Sequence, residues 1–116
     1  MQVVSLVDGV KMIKEEFTKI EAELELTDMN NSDAIDVLWA KEIELFTKDI
    51  KATIEFVKND CTASQFSWMS EVWDEIVEKT KSKEFVDCIK ETAKKFPEEC
   101  EKFNIAGSIV SAEGYL

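Results

Sequence analysis

Carboxylates are the reactive groups this chain carries in quantity, and four of them recur at helical intervals in one short stretch: Glu71, Asp74, Glu75 and Glu78. Separated by three, one and three residues, they line one side of a helix whose other side is Phe66, Met69, Trp73, Ile76 and Val77. Trp68 lies one turn before Glu71 and Val72 and borders that stripe. Carboxylates so placed can hold a divalent cation if a second pair faces them. Left in solvent beside an indole, they instead make an acidic surface with a candidate anchor for a basic protein. A second group, Glu21, Glu23, Glu25 and Asp28, crowds the carboxyl end of the first amphipathic segment, where the helix dipole favours cations. Each group also fits an ordinary solvated helix face. As functional surfaces, we expect both groups and Trp68 to bind a partner.

Other chemistry is scarce. Histidine is absent, so neither a Ser-His nor a Cys-His nucleophile can be assembled, and there is no glycine-rich phosphate loop. The spacings Glu71-x-x-Asp74 and Glu75-x-x-Glu78 loosely resemble those of the all-helical nucleoside triphosphate pyrophosphohydrolases. That resemblance covers eight residues and implies carboxylate-bound Mg²⁺ with Asp33-x-x-Asp36 facing it. The chain as a whole favours binding without catalysis, cofactor or metal.

Three cysteines, Cys61, Cys88 and Cys100, form no CxxC pair and have no histidine to complete a zinc shell. They read as reduced, mostly buried thiols, with a Cys88–Cys100 disulfide as the rival. Cys61 stands near a helix amino end, which lowers a thiol's pKa and could make it reactive.

The 25 acidic residues outnumber 14 basic ones, all lysine, for a net charge of −11. The first 80 residues hold 18 of the acids and eight of the lysines. Such a surface repels nucleic acid, anionic lipid and nucleotide phosphates and favours a basic partner. Without arginine, the chain also lacks the side chain best suited to bidentate phosphate grip. No apolar run approaches 18 residues and no secretory leader is visible, so a cytoplasmic location is the default.

These residues need helices to position them, and three glycines and one proline in 116 residues leave little from which to build loops. The pattern predicts an all-α fold: one domain over 1–116, a compact bundle of five or six helices around a long central helix at about 32–59. In that central stretch Ile35, Trp39, Ile43, Phe46, Ile50, Ile54 and Val57 follow one stripe. A first helix is expected over Val3–Leu24, with Gly9 a modest weakness and an extended piece possible at Ala22, Leu24 and Leu26. Asn31 or Ser32 is expected to cap the second helix. Thr62 and Gln65 form a capping box that starts a third helix near Ala63, reaching Thr80. Ser82 should cap the next helix, Pro97 should open a short one, and Asn104 should stop it in the left-handed conformation. A last helix should bury Ile105, Ile109, Val110 and Tyr115, with Gly107 allowing close approach. Trp39, Phe46, Ile50, Trp73, Ile89 and Phe96 are expected in the core.

In size, helicity and acidity the chain is similar in kind to small bacterial immunity and antitoxin proteins that neutralise basic nuclease toxins, a likeness of physical type that carries over no residue. It implies an inhibitor that covers the active site of a basic partner. Three alternatives stay open: the Mg²⁺-dependent pyrophosphohydrolase, a nucleic-acid mimic that blocks a defence nuclease, and a non-catalytic subunit or homodimer.

Overall fold

The computed structural model describes residues 6–116, and these form eight α-helices with no strand among them. The first, α1 (Leu6–Leu26), buries Gly9, Ile13, Phe17, Ile20 and Leu24. Its predicted start at Val3 lies outside the described residues. It stays helical through Ala22 and Leu26, so the alternation there is not an extended piece. Gly9 is no mere weakness, because a Cβ there would stand 3.0 Å from the Ala52 side chain. The missing side chain lets the backbone of α1 lie close to that alanine.

The expected central helix is two helices. α2 (Ser32–Lys48) begins where Asn31 Oδ1 accepts the Ala34 N–H at 3.3 Å, and it ends before Asp49. Asp49 leaves the helical conformation and caps α3 (Ile50–Asn59), its Oδ1 accepting the Ala52 N–H at 3.2 Å. The break frees the Phe46 carbonyl, and buried Thr53 donates to it at 2.8 Å. Apolar residues at 46, 50 and 54 stay in step across the gap, which is why their spacing conceals it.

The expected third helix is also divided. α4 (Ala63–Ser70) opens with the capping box: Thr62 Oγ1 accepts from Gln65 N–H, and Gln65 Oε1 accepts from Thr62 N–H, both at 3.1 Å. Ser70 donates its hydroxyl to the Ser67 carbonyl at 2.6 Å, one of the local bonds that compete with a helix ladder. Glu71 and Val72 then form a turn before α5 (Trp73–Thr80). Lys81 stops α5 at a φ of 50°, and Ser82 caps α6 (Lys83–Ala93). Pro97 opens α7 (Pro97–Lys102), and Asn104, at a φ of 51°, separates it from α8 (Ile105–Glu113). α8 buries Ile105, Ile109 and Ala112, at intervals of four and three. Val110, one step around the helix, and Tyr115 are exposed, contrary to expectation. At Gly107 the atoms nearest to an added Cβ belong to the Asn104 side chain rather than to a neighbouring helix.

α1 packs on both α2 and α3, and these meet the second half of the chain through α5 and α6. α8 lies against α5 and α6 and also touches α4 and α7. Phe17 joins the first three helices, its ring edge-on to Phe46 at 5.0 Å and Phe56 at 6.0 Å. On the other side, Phe66 packs edge-on to Trp73 at 5.0 Å and lies tilted against Phe96, just before α7, at 5.6 Å. Phe46, Trp73 and Ile89 are buried as expected, whereas Trp39, Ile50 and Phe96 are only partly so. The buried stripe of α2 is Ile35, Leu38, Glu42 and Phe46, rotated from the expected one so that Trp39 and Ile43 fall on its flank. No helix among the described residues is long and apolar enough to cross a membrane.

Candidate functional site

The two breaks decide where the acidic residues stand. Because the chain turns at Glu71–Val72, Glu71 is not on the same helix as Asp74, Glu75 and Glu78. Asp74 is drawn towards α8, accepting from the Ser111 hydroxyl at 3.0 Å, while Glu75 and Glu78 are exposed on α5. The single stripe read from the spacing is thus three separate placements.

The cluster at the end of α1 is divided as well. Glu21 accepts from Ser64 of α4 at 3.1 Å. Glu23 faces α2, 3.9 Å from the Lys41 ammonium. Asp28 accepts the Asn30 N–H at 2.9 Å and shapes the turn before α2. Glu25, one helical turn beyond Glu21, is left at the mouth of a cleft between α1, α4 and α7.

That cleft, of about 540 Å³, brings together members of both predicted groups: Glu25 from the first and Trp68 and Glu71 from the second. Glu99 adds a third carboxylate, and Met29 and Phe103 extend the apolar wall. Among the described residues, the cation lining it is Lys102, whose ammonium lies 5.2 Å from the centre of the Phe103 ring. Carboxylates around exposed aromatic faces suit an ammonium or guanidinium group, which gains from both charge and ring quadrupole. Trp68 is held from behind by Trp39, ring centres 6.3 Å apart and tilted by 49°, so the indole is both supported and partly open.

Glu42 is the residue that the charge and spacing patterns missed. It is completely buried on the core stripe of α2, and neither carboxylate oxygen has a hydrogen-bond partner. Burial, reinforced by the negative charge of Glu71, pushes its carboxyl up from 4.5 to about 8. The signal was present: Leu38 precedes it by four positions and Phe46 follows by four, which is a core position. On the neighbouring helices, buried Trp73 Nε1 and Ser67 Oγ also lack partners.

No three acidic or cysteine side chains among the described residues are arranged to hold a metal ion. Asp33 and Asp36 stand exposed on the first turns of α2. The three thiols are free: Cys88 donates to the Ile54 carbonyl and Cys100 to that of Ala93, at 3.6 and 3.3 Å. Cys61 is not activated by the nearby helix end. Burial, with the charge of Glu21, pushes it up to about 12. Scans against protein-family models, curated proteins and solved structures find no match to this chain.

Proposed function

We propose that this protein is a cytoplasmic, acidic helical binding protein that inhibits a basic partner by covering its active site, as an immunity protein or antitoxin does, without catalysis of its own. The observation that carries this reading is the cleft in which Glu25, Glu71 and Glu99 surround Trp68, Met29 and Phe103. A lysine or arginine of the partner would enter with its aliphatic stem on the aromatic wall and its charge among the carboxylates. Lys102, already resting over Phe103, is an example of that contact within the chain. The exposed acids of α5 and the net charge of −11 would steer the encounter rather than hold the complex.

The test is co-expression and co-purification with a basic nuclease-type protein encoded beside this one. A stoichiometric complex whose nuclease is silenced, and whose association rate falls with salt, is the expected result. A partner that stays active in the complex, or binding unchanged by Glu71→Lys, sinks the proposal.

A further inference from the structure

Glu42 is a core residue in every respect except its chemistry. Leu38 and Phe46 continue its stripe on α2, and no hydrogen bond compensates its two oxygens. A neutral carboxyl tolerates such a place at moderate cost, whereas an unpaired anion there is far more expensive.

What lies over it follows from two short rows of residues. Trp39 and Glu42 stand three apart on α2; Trp68 and Glu71 stand three apart where α4 ends. The Trp39 ring meets that of Trp68, so one helical turn before Glu42 the α2 helix is walled by Trp68, which leads directly into the turn that carries Glu71. That wall is held in the core by Met69 and Val72, but its backbone is irregular. The helix is interrupted there, Glu71 and Val72 bond back only three residues to the Trp68 and Met69 carbonyls, and Val72 gives α5 no side-chain cap. Ser67 and Trp73, on either side of the turn in sequence, both carry buried polar atoms without partners, to which entering water could bind.

We propose that this contact is a proton-operated latch: with Glu42 neutral the turn at 68–72 rests on α2, and loss of the proton lifts it, parting Trp68 from Trp39 and admitting water to the carboxylate. Local opening relieves the buried charge without unfolding the chain.

The other charged groups around α2 are engaged or turned outward. On α1, Glu23 is with Lys41, Glu21 with Ser64, and Glu25 in the cleft. On α3, Lys51 and Lys58 are exposed and Glu55 accepts from Asn59. α4 has no charged residue. On α5, Asp74 is with Ser111, and Glu75, Glu78 and Lys79 are exposed; on α2 itself, Lys41 and Glu44 are exposed. Glu71 is therefore the charge that acts on Glu42, and it opposes ionisation in the same direction as burial does.

The latch does not depend on the partner proposed above, and its test needs none. In the ¹⁵N-labelled full chain, titrated from pH 5.5 to 9.5, the indole signals of Trp39 and Trp68 and the amides of 68–72 should shift together with one midpoint. Far-UV circular dichroism should stay constant. Glu42→Gln should abolish the shift, and Glu71→Gln should move its midpoint down by about a few tenths of a pH unit, having removed a like charge. A flat titration in the parent overturns the latch, as does one that survives Glu42→Gln. Should Glu42→Gln fail to fold, an unchanged midpoint in Glu71→Gln overturns it as well.

Discussion

Thr53 reaches back across the gap between α2 and α3, its Oγ1 donating to the Phe46 carbonyl seven residues earlier at 2.8 Å. Thr53 is wholly buried, as is Phe46, so this bond satisfies a carbonyl that water cannot reach. Thr53→Val keeps the shape and removes the donor. It should lower unfolding stability by about 1–3 kcal/mol, read as a fall in urea midpoint at constant slope. Asp49→Ala, which removes the cap beside it, should cost about 1 kcal/mol.

Gly9 is opposed by two effects of similar size. Alanine is the better helix former by about 0.8–1 kcal/mol, but its Cβ would stand 3.0 Å from that of Ala52. Overpacking costs typically about 1–3 kcal/mol, so the clash should win and Gly9→Ala should lower the thermal midpoint. Gly9→Ala combined with Ala52→Gly should recover much of the loss, which identifies the contact itself as the cause.

How far the sequence carried the fold depended on which physics controlled each boundary. Caps are local, so the starts at Asn31, Thr62, Ser82 and Pro97 were legible, as was the stop at Asn104. The break at Asp49 was concealed because Phe46, Ile50 and Ile54 keep helical spacing through it, although an aspartate three residues before Ala52 is itself a cap signal. The turn at Glu71–Val72 has no cap signal at all; Val72 closes no side-chain bond. That turn is what divided the acidic stripe. The meeting of Glu25 with Trp68 and Glu71 was out of reach for a further reason, since spacing within a helix says nothing about which helix ends meet.

Glu42 sets a pH dependence of stability whose sign is fixed. Its folded pKa, about 8, lies above the ordinary value of 4.5, so between those limits the folded chain binds the extra proton. Stability from this group is full below pH 4.5 and falls as pH rises towards 8. A shift of this size corresponds to up to about 5 kcal/mol, limited by the free energy of any local opening. Chemical denaturation at pH 5, 7 and 9 should show the decline. Glu42→Gln should flatten the contribution and be more stable than the parent at pH 9.

The thiols give an independent check on the second half of the fold. A Cys61 thiol pushed up to about 12 is almost entirely protonated at pH 8, so iodoacetamide should alkylate it far more slowly in native protein than in denaturant. Native reactivity matching a free thiol would mean that the partly buried Cys61 is not shielded as the fold places it. Without reductant, all three cysteines should titrate in denaturant.

The cleft and the α5 surface should separate in a binding experiment, because they hold charge in different settings. Glu75 and Glu78 are exposed and do not line that cleft, so reversing both to lysine should slow association at low salt and leave dissociation nearly unchanged. Glu25 and Glu71 stand beside aromatic faces where an incoming cation loses water, so Glu25→Lys with Glu71→Lys should also speed dissociation and abolish a stable complex. Both pairs are on the surface, where substitutions usually stay within about 0.5 kcal/mol of stability, and Glu71→Lys also removes the like charge acting on Glu42. Trp68→Ala removes the wall itself and should act on dissociation alone, since packing contributes little to long-range steering. Surface plasmon resonance against the basic partner at two salt concentrations distinguishes these outcomes. If the α5 pair alone governs the complex, the binding face is α5 and the cleft has no part in it.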